Sequence, residues 1–141
     1  MEDRKVILAI DDMSMNLRTI QVILEKQFNV RLAKSGEIAL SILGSTDVDL
    51  ILLDIEMPGM SGFEFLDVLK KVPRAKEVPV IFVTSHASTE LIARASKAGA
   101  KDYVMKPFAP AVLQKKVYAA LDMQDIYITK DGKAINLPPQ D

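Results

Sequence analysis

The chain predicts a doubly wound α/β fold built on a parallel sheet. Short apolar runs alternate with segments of helical period five times, the pattern of successive strand-helix units. The central runs are aliphatic without interruption, as in strands buried on both faces. Polar residues then collect where those runs end, at the rim where open α/β sheets bind ligands.

VILAI at Val6–Ile10 reads as strand one and runs into Asp11-Asp12. Ser14 is placed to cap the next helix, whose apolar residues Leu17, Ile20, Leu24 and Phe28 recur at helical spacing. NVRLA at Asn29–Ala33 alternates, the mark of a short strand at a sheet edge. Ser35-Gly36 opens helix two, with Ala39, Ile42 and Leu43 on one face, and Gly44-Ser45 closes it. Residues 49–53 form strand three, which delivers Asp54 into the loop MPGMSG. Helix three starts near Gly62, buries Phe63, Leu66 and Leu69, and stops at Pro73. Residues 78–83 make strand four, with Pro79 at its start and Thr84-Ser85 after it. Helix four, residues 88–98, is rich in alanine and ends at Gly99; it has little apolar area to bury, which predicts weak attachment. Strand five is Asp102–Met105, followed by Lys106-Pro107. Helix five, residues 109–122, packs Leu113, Val117 and Leu121. Residues 123–141 break the alternation: two apolar runs flank Asp131-Gly132, a hairpin signal, and Pro138-Pro139 resembles linker. Residues 1–122 therefore read as one domain and 123–141 as a tail, either a hairpin or a linker to an output domain.

With 141 residues, 49% hydrophobic and 26% charged, the chain can bury a real core. A formal charge of −1 gives no electrostatic case for nucleic acid or an anionic membrane. There is no cysteine and only one histidine, His86. Disulfides, thiolate nucleophiles and multi-histidine metal sites are thereby excluded, so any metal is a hard cation held by oxygen. No apolar segment has the length of a signal peptide or membrane span, and the expected address is the cytoplasm.

In a parallel sheet Asp11-Asp12, Asp54, Thr84 and Lys106 share one rim. Crowded carboxylates hold their protons more tightly unless a cation sits among them. Mg2+ suits such a site, because it takes one or two carboxylates, keeps waters and leaves room for a phosphoryl oxygen. Taken singly, each residue has a plainer reading. Asp11-Asp12 fits a helix start, Asp54 a loop carboxylate met by backbone N–H groups, Thr84 a helix cap, and Lys106 a solvated lysine. The conjunction at four strand ends favours a site. His86 reads as a solvated loop residue, and Tyr103 as a half-buried aromatic with its hydroxyl at the surface.

The motifs VILAIDD, LILLDIEMPGMSGFEF, FVTS and DYVMKPF, in that order across residues 5–122, resemble the receiver domain of two-component response regulators, the chemotaxis-regulator type of flavodoxin-like fold. The resemblance implies a five-stranded sheet of order 2-1-3-4-5. It implies Asp54 as phosphoacceptor. Mg2+ would be bound by the Asp12 and Asp54 side chains and the Glu56 backbone carbonyl, and by Asp11 through water. Lys106 would pair with Asp54 or a phosphoryl oxygen, and Thr84 would donate a hydrogen bond to the phosphoryl group. Tyr103 would turn inward when Thr84 moves, changing the surface of helix four, strand five and helix five. The implied donor is a phosphohistidine on a sensor histidine kinase or a histidine phosphotransfer protein, and the implied receiver of the signal is an output domain or protein. A homodimer through helices four and five is implied by the same analogy. Such a domain is not a conventional enzyme; it catalyses its own phosphorylation and dephosphorylation. Glu56 and His86, two residues past Asp54 and Thr84, occupy positions that vary in this family and influence phosphoryl lifetime.

Other readings fit less well. An aspartate-nucleophile phosphatase of the haloacid-dehalogenase type needs a second acid two residues after Asp11, where Met13 stands. A flavodoxin needs a Ser/Thr/Gly-rich phosphate loop after strand one, where DDMSMN stands. A phosphorylation-independent adaptor with the same fold is the third alternative.

Overall fold

The computed structural model describes residues 4–123 and, beyond them, two strands, Ile126–Ile128 and Ala134–Asn136. Five strands form a parallel sheet: β1 (Val6–Ile10), β2 (Asn29–Ala33), β3 (Leu50–Asp54), β4 (Val80–Thr84) and β5 (Asp102–Met105). Their order is β2-β1-β3-β4-β5, as expected. Five helices connect and cover them: α1 (Ser14–Leu24), α2 (Gly36–Leu43), α3 (Gly62–Leu69), α4 (Thr89–Lys97) and α5 (Pro110–Ala120). β3 and β4 are buried along their whole length, which is why their sequences are aliphatic on both faces.

The sheet divides the core in two. One half gathers Leu8, Ile10, Leu53, Phe65 and Phe82 under α2, α3 and α4. The other gathers Ala9, Leu17, Leu52, Leu113 and Val117 under α1 and α5. Adjacent strand residues fall in opposite halves, as a pleat of period two requires.

Several element ends differ from the expectation. Ser14 does not cap α1; it is the first helical residue, and Met13 is the N-cap with no side-chain cap bond. The Asp11 carboxylate takes the Met13 N–H at 2.9 Å instead, turning the chain one residue earlier. α3 buries Phe65 with Leu66 and Leu69, while Phe63 is only half-buried. The reason is the entry angle: Ser61 and Glu64 form a capping box, which fixes the helix phase so that 62, 65, 66 and 69 face the sheet. α3 also ends at Leu69, before Pro73. Thr84 is the last residue of β4 rather than the first after it. α4 buries Ala95 alone, in line with its poor apolar content. Part of its attachment is Arg94, whose guanidinium lies 3.9 Å from the Phe63 ring centroid.

Beyond α5, β6 (Ile126–Ile128) and β7 (Ala134–Asn136) pair antiparallel. Asp131-Gly132, where the sequence signals the turn, lies outside the described residues. Among the described residues no helix is long and apolar enough to cross a membrane.

Candidate functional site

Strand ends bring the site together. Asp11 and Asp12 follow β1, Asp54 ends β3, Thr84 ends β4 and Lys106 follows β5. The Asp11 N–H donates to the Ala33 carbonyl at 3.1 Å, so the ladder continues one residue past β1 and fixes the first acid. Beyond Asp54 the chain doubles back tightly. Gly59 takes φ +78°, and the Gly62 N–H donates to the Ile55 carbonyl at 2.9 Å. A side chain at Gly62 would strike the Asp54 carbonyl, so glycine alone lets the loop close against the strand end.

Asp11, Asp54 and Thr84 are buried polar residues, at 1%, 4% and 4% exposure. Asp12 is half-buried beside them. The Lys106 ammonium bridges two of the acids, 2.8 Å from Asp11 Oδ2 and 3.2 Å from Asp54 Oδ1. Asp11 Oδ2 takes no well-aligned hydrogen bond among the described residues, so this ion pair is its main compensation. Burial, and then the neighbouring Asp11 charge, push the Asp54 carboxyl up to about 6, against the opposing pull of Lys106 and the Glu56 N–H. The two carboxylates outweigh the burial of Lys106 and hold its ammonium above the usual lysine range.

One carboxylate oxygen from each of Asp11, Asp12 and Asp54 lies within 4.8 Å of the others. Three acids facing one ammonium leave excess negative charge in a poorly solvated place. This donor set fits a small hard dication: the ligands are all oxygen, and Asp12 gives access from solvent. Above them opens a crevice of about 310 Å3, lined by Asp12, Met13, Asn16, Asp54, Glu56, Thr84, Ser85 and Lys106.

The rim residues Asp11, Asp12, Asp54, Thr84 and Lys106 thus converge, in different positions. Asp11 is buried and is not in the crevice wall, whereas Asp12 lines it. Glu56 is exposed and lines it. The His86 side chain is exposed and is not in the wall; its backbone instead holds Thr84, whose hydroxyl donates to the His86 carbonyl at 2.8 Å and accepts from the His86 N–H at 3.0 Å. Tyr103 lies away from the crevice, paired in register with Phe82. Met13 and Asn16 are wall residues that sequence reasoning missed. Asn16 lies in the first turn of α1, just past the acids that follow β1, a closeness in sequence that could have flagged it.

A family model, the response regulator receiver domain, matches residues 7–118. The chain belongs to that family. This receiver domain is 37% identical over 115 residues to a probable cyclic di-GMP phosphodiesterase of Vibrio cholerae, a match covering 82% of this chain but only 26% of that protein. It is 37% identical to the chemotaxis protein CheY of Pseudomonas aeruginosa, over 79% of this chain and 91% of the other. Among solved structures, the Vibrio cholerae chemotaxis protein CheY4 superposes with a TM-score of 0.80 at 28% identity, covering 84% of this chain and 99% of the other.

Proposed function

We propose that the receiver domain accepts a phosphoryl group on Asp54 from a phosphohistidine, with Mg2+, and passes the change to the surface of α4, β5 and α5. The observation that carries this is the meeting of Asp11, Asp12 and Asp54 with Lys106 at the mouth of a crevice. Phosphoryl transfer leaves a protein little covalent work beyond alignment and charge stabilisation. An Asp54 carboxylate oxygen forms the new O–P bond as the P–N bond to the imidazole breaks. The electron pair leaves with the imidazole, which takes up a proton from water. Lys106, already 3.2 Å from Asp54 Oδ1, is placed to donate to a phosphoryl oxygen. The Asp12 and Asp54 side chains and the Glu56 carbonyl would hold Mg2+, with Asp11 acting through water. Bound there, the ion supplies charge neutralisation for the transferring oxygens.

Thr84 follows from its present bonds. Its hydroxyl leaves the His86 backbone and donates to the phosphoryl group, and Tyr103 moves with it. Register supports the coupling: Phe82 pairs with Tyr103 and Thr84 with Met105, so Thr84 and Tyr103 share one face of the sheet. The proposed partners are a sensor histidine kinase or histidine phosphotransfer protein upstream and an output domain or protein downstream, with a homodimer through α4, β5 and α5 as one form of output. The cytoplasm, where such donors stand, is the proposed location. We assign the receiver unit to residues 1–122 and 123–141 to a C-terminal tail, either a hairpin or a linker to an output domain; the antiparallel pairing of β6 with β7 supports the hairpin.

The test is incubation with a radiolabelled phosphoramidate and Mg2+. Label that is stable in mild acid, released by hydroxylamine and absent from Asp54→Asn is expected. Absence of label from the folded wild type contradicts the proposal and returns the phosphorylation-independent adaptor.

A further inference from the structure

β5 is the last strand of the sheet, so one side of its backbone has no strand to pair with. Unpaired strand edges leave N–H and C=O groups that must find other partners. At Tyr103 both are taken locally. The Tyr103 N–H donates to Asp102 Oδ1 at 2.7 Å, and the Tyr103 carbonyl accepts from Lys116 Nζ at 2.6 Å. Lys116 closes the loop by meeting Asp102 Oδ1 at 3.1 Å. The same ammonium stands 4.6 Å from the centroid of the Tyr103 ring.

α5 packs on the half of the core opposite to the one Tyr103 joins. Lys116 therefore reaches around the sheet edge and grips Tyr103 at two points, backbone and ring. An ammonium over an aromatic face is attracted by the ring quadrupole, and the Asp102 carboxylate holds the ammonium in place. Beside the ring, Ile92, Ala95 and Ser96 of α4 face Lys101, Asp102 and Tyr103 across a crevice of about 200 Å3. The ring thus has space to move into and a cation that holds it where it is. α4, the other wall, buries one residue only. That combination is what a two-position element needs.

We propose that Lys116 is a positioning residue for Tyr103, clamping the ring and setting how readily the switch leaves its resting arrangement. The proposal rests on the reading of Tyr103 as a switch residue. The state it clamps is the one in which the Thr84 hydroxyl is bonded to the His86 backbone and not turned to Asp54. Releasing the clamp therefore favours the other state. Lys116→Met keeps the aliphatic stem and removes the charge; Lys116→Arg restores a cation over the ring.

The full chain carries three tyrosines, Tyr103, Tyr118 and Tyr127. Labelled with 3-fluorotyrosine and assigned by single Tyr→Phe variants, they give three fluorine resonances. Tyr118, buried against Phe28, serves as the fold control. In unmodified protein, Lys116→Met is expected to move the Tyr103 resonance and leave that of Tyr118 in place. The beryllofluoride concentration that half-converts Tyr103 in the presence of Mg2+ should fall roughly threefold. Lys116→Arg should restore both. A Tyr103 resonance unmoved by Lys116→Met overturns the clamp, and a moved resonance with an unchanged midpoint overturns its effect on the switch. Wild-type protein silent to beryllofluoride overturns the phosphoacceptor reading instead, while the unmodified spectra still decide whether Lys116 holds the ring.

Discussion

Asp54 is held at a cost. Its carboxyl is pushed from 3.8 up to about 6 by burial and by Asp11, so between those two pH values the folded state binds more protons than the unfolded chain. Stability of the metal-free protein therefore falls as pH rises through that window. Asp54→Asn removes the titrating charge. It should flatten this slope and raise metal-free stability near neutrality by about 2 kcal/mol, read by urea unfolding at pH 4 to 7; an unchanged slope contradicts the assignment. Lys106→Met leaves Asp11 and Asp54 facing each other uncompensated. It should cost about 3 kcal/mol without metal, with Mg2+ restoring part of the loss in thermal unfolding. His86→Ala should leave phosphoryl lifetime unchanged, because its backbone and not its ring holds Thr84.

At the scale of elements, the tight return after β3 depends on Gly62. A Cβ there would lie 2.9 Å from Ile55 Cα and closer still to the Asp54 carbonyl. Gly62→Ala should cost about 3 kcal/mol in urea unfolding; a loss below the error of that measurement would mean the loop shifts freely. Arg94→Ala should loosen α4, seen as faster amide exchange confined to that helix, for a global loss of about 1 kcal/mol or less. These elements were largely legible. β3 could be read because four aliphatic residues leave no polar face, and the acid after them could only stand at the strand end. The phase of α3 could not, since Phe63 and Phe65 are equally apolar and the Ser61-Glu64 box decides between them. Asp11 and Asp12 look alike as adjacent acids, and only the resemblance separates their roles; in the structure Asp11 is buried outside the crevice wall and Asp12 lines it. Asn16 was missed because an amide on a helix usually means solvent. Lys116 escaped notice because its partners lie 13 and 14 residues away, joined only by the edge of the sheet.

For the molecule as a whole, the sheet keeps the proposed acceptor and the proposed output surface on one rigid frame. Asp54 stands on the central strand, Thr84 on the next and Tyr103 on the edge. A change at Asp54 need cross only two strands to reach α4, which is lightly held. The central claim is that one carboxylate of the three is the acceptor. It is tested most directly by phosphorylating the full chain from a phosphorylated histidine phosphotransfer protein with Mg2+, reducing with borohydride, and mapping the product by peptide mass spectrometry. An acyl phosphate at Asp54 yields homoserine at position 54 and nowhere else. Homoserine at position 11 or 12, or none from protein that has taken up label, would contradict the account.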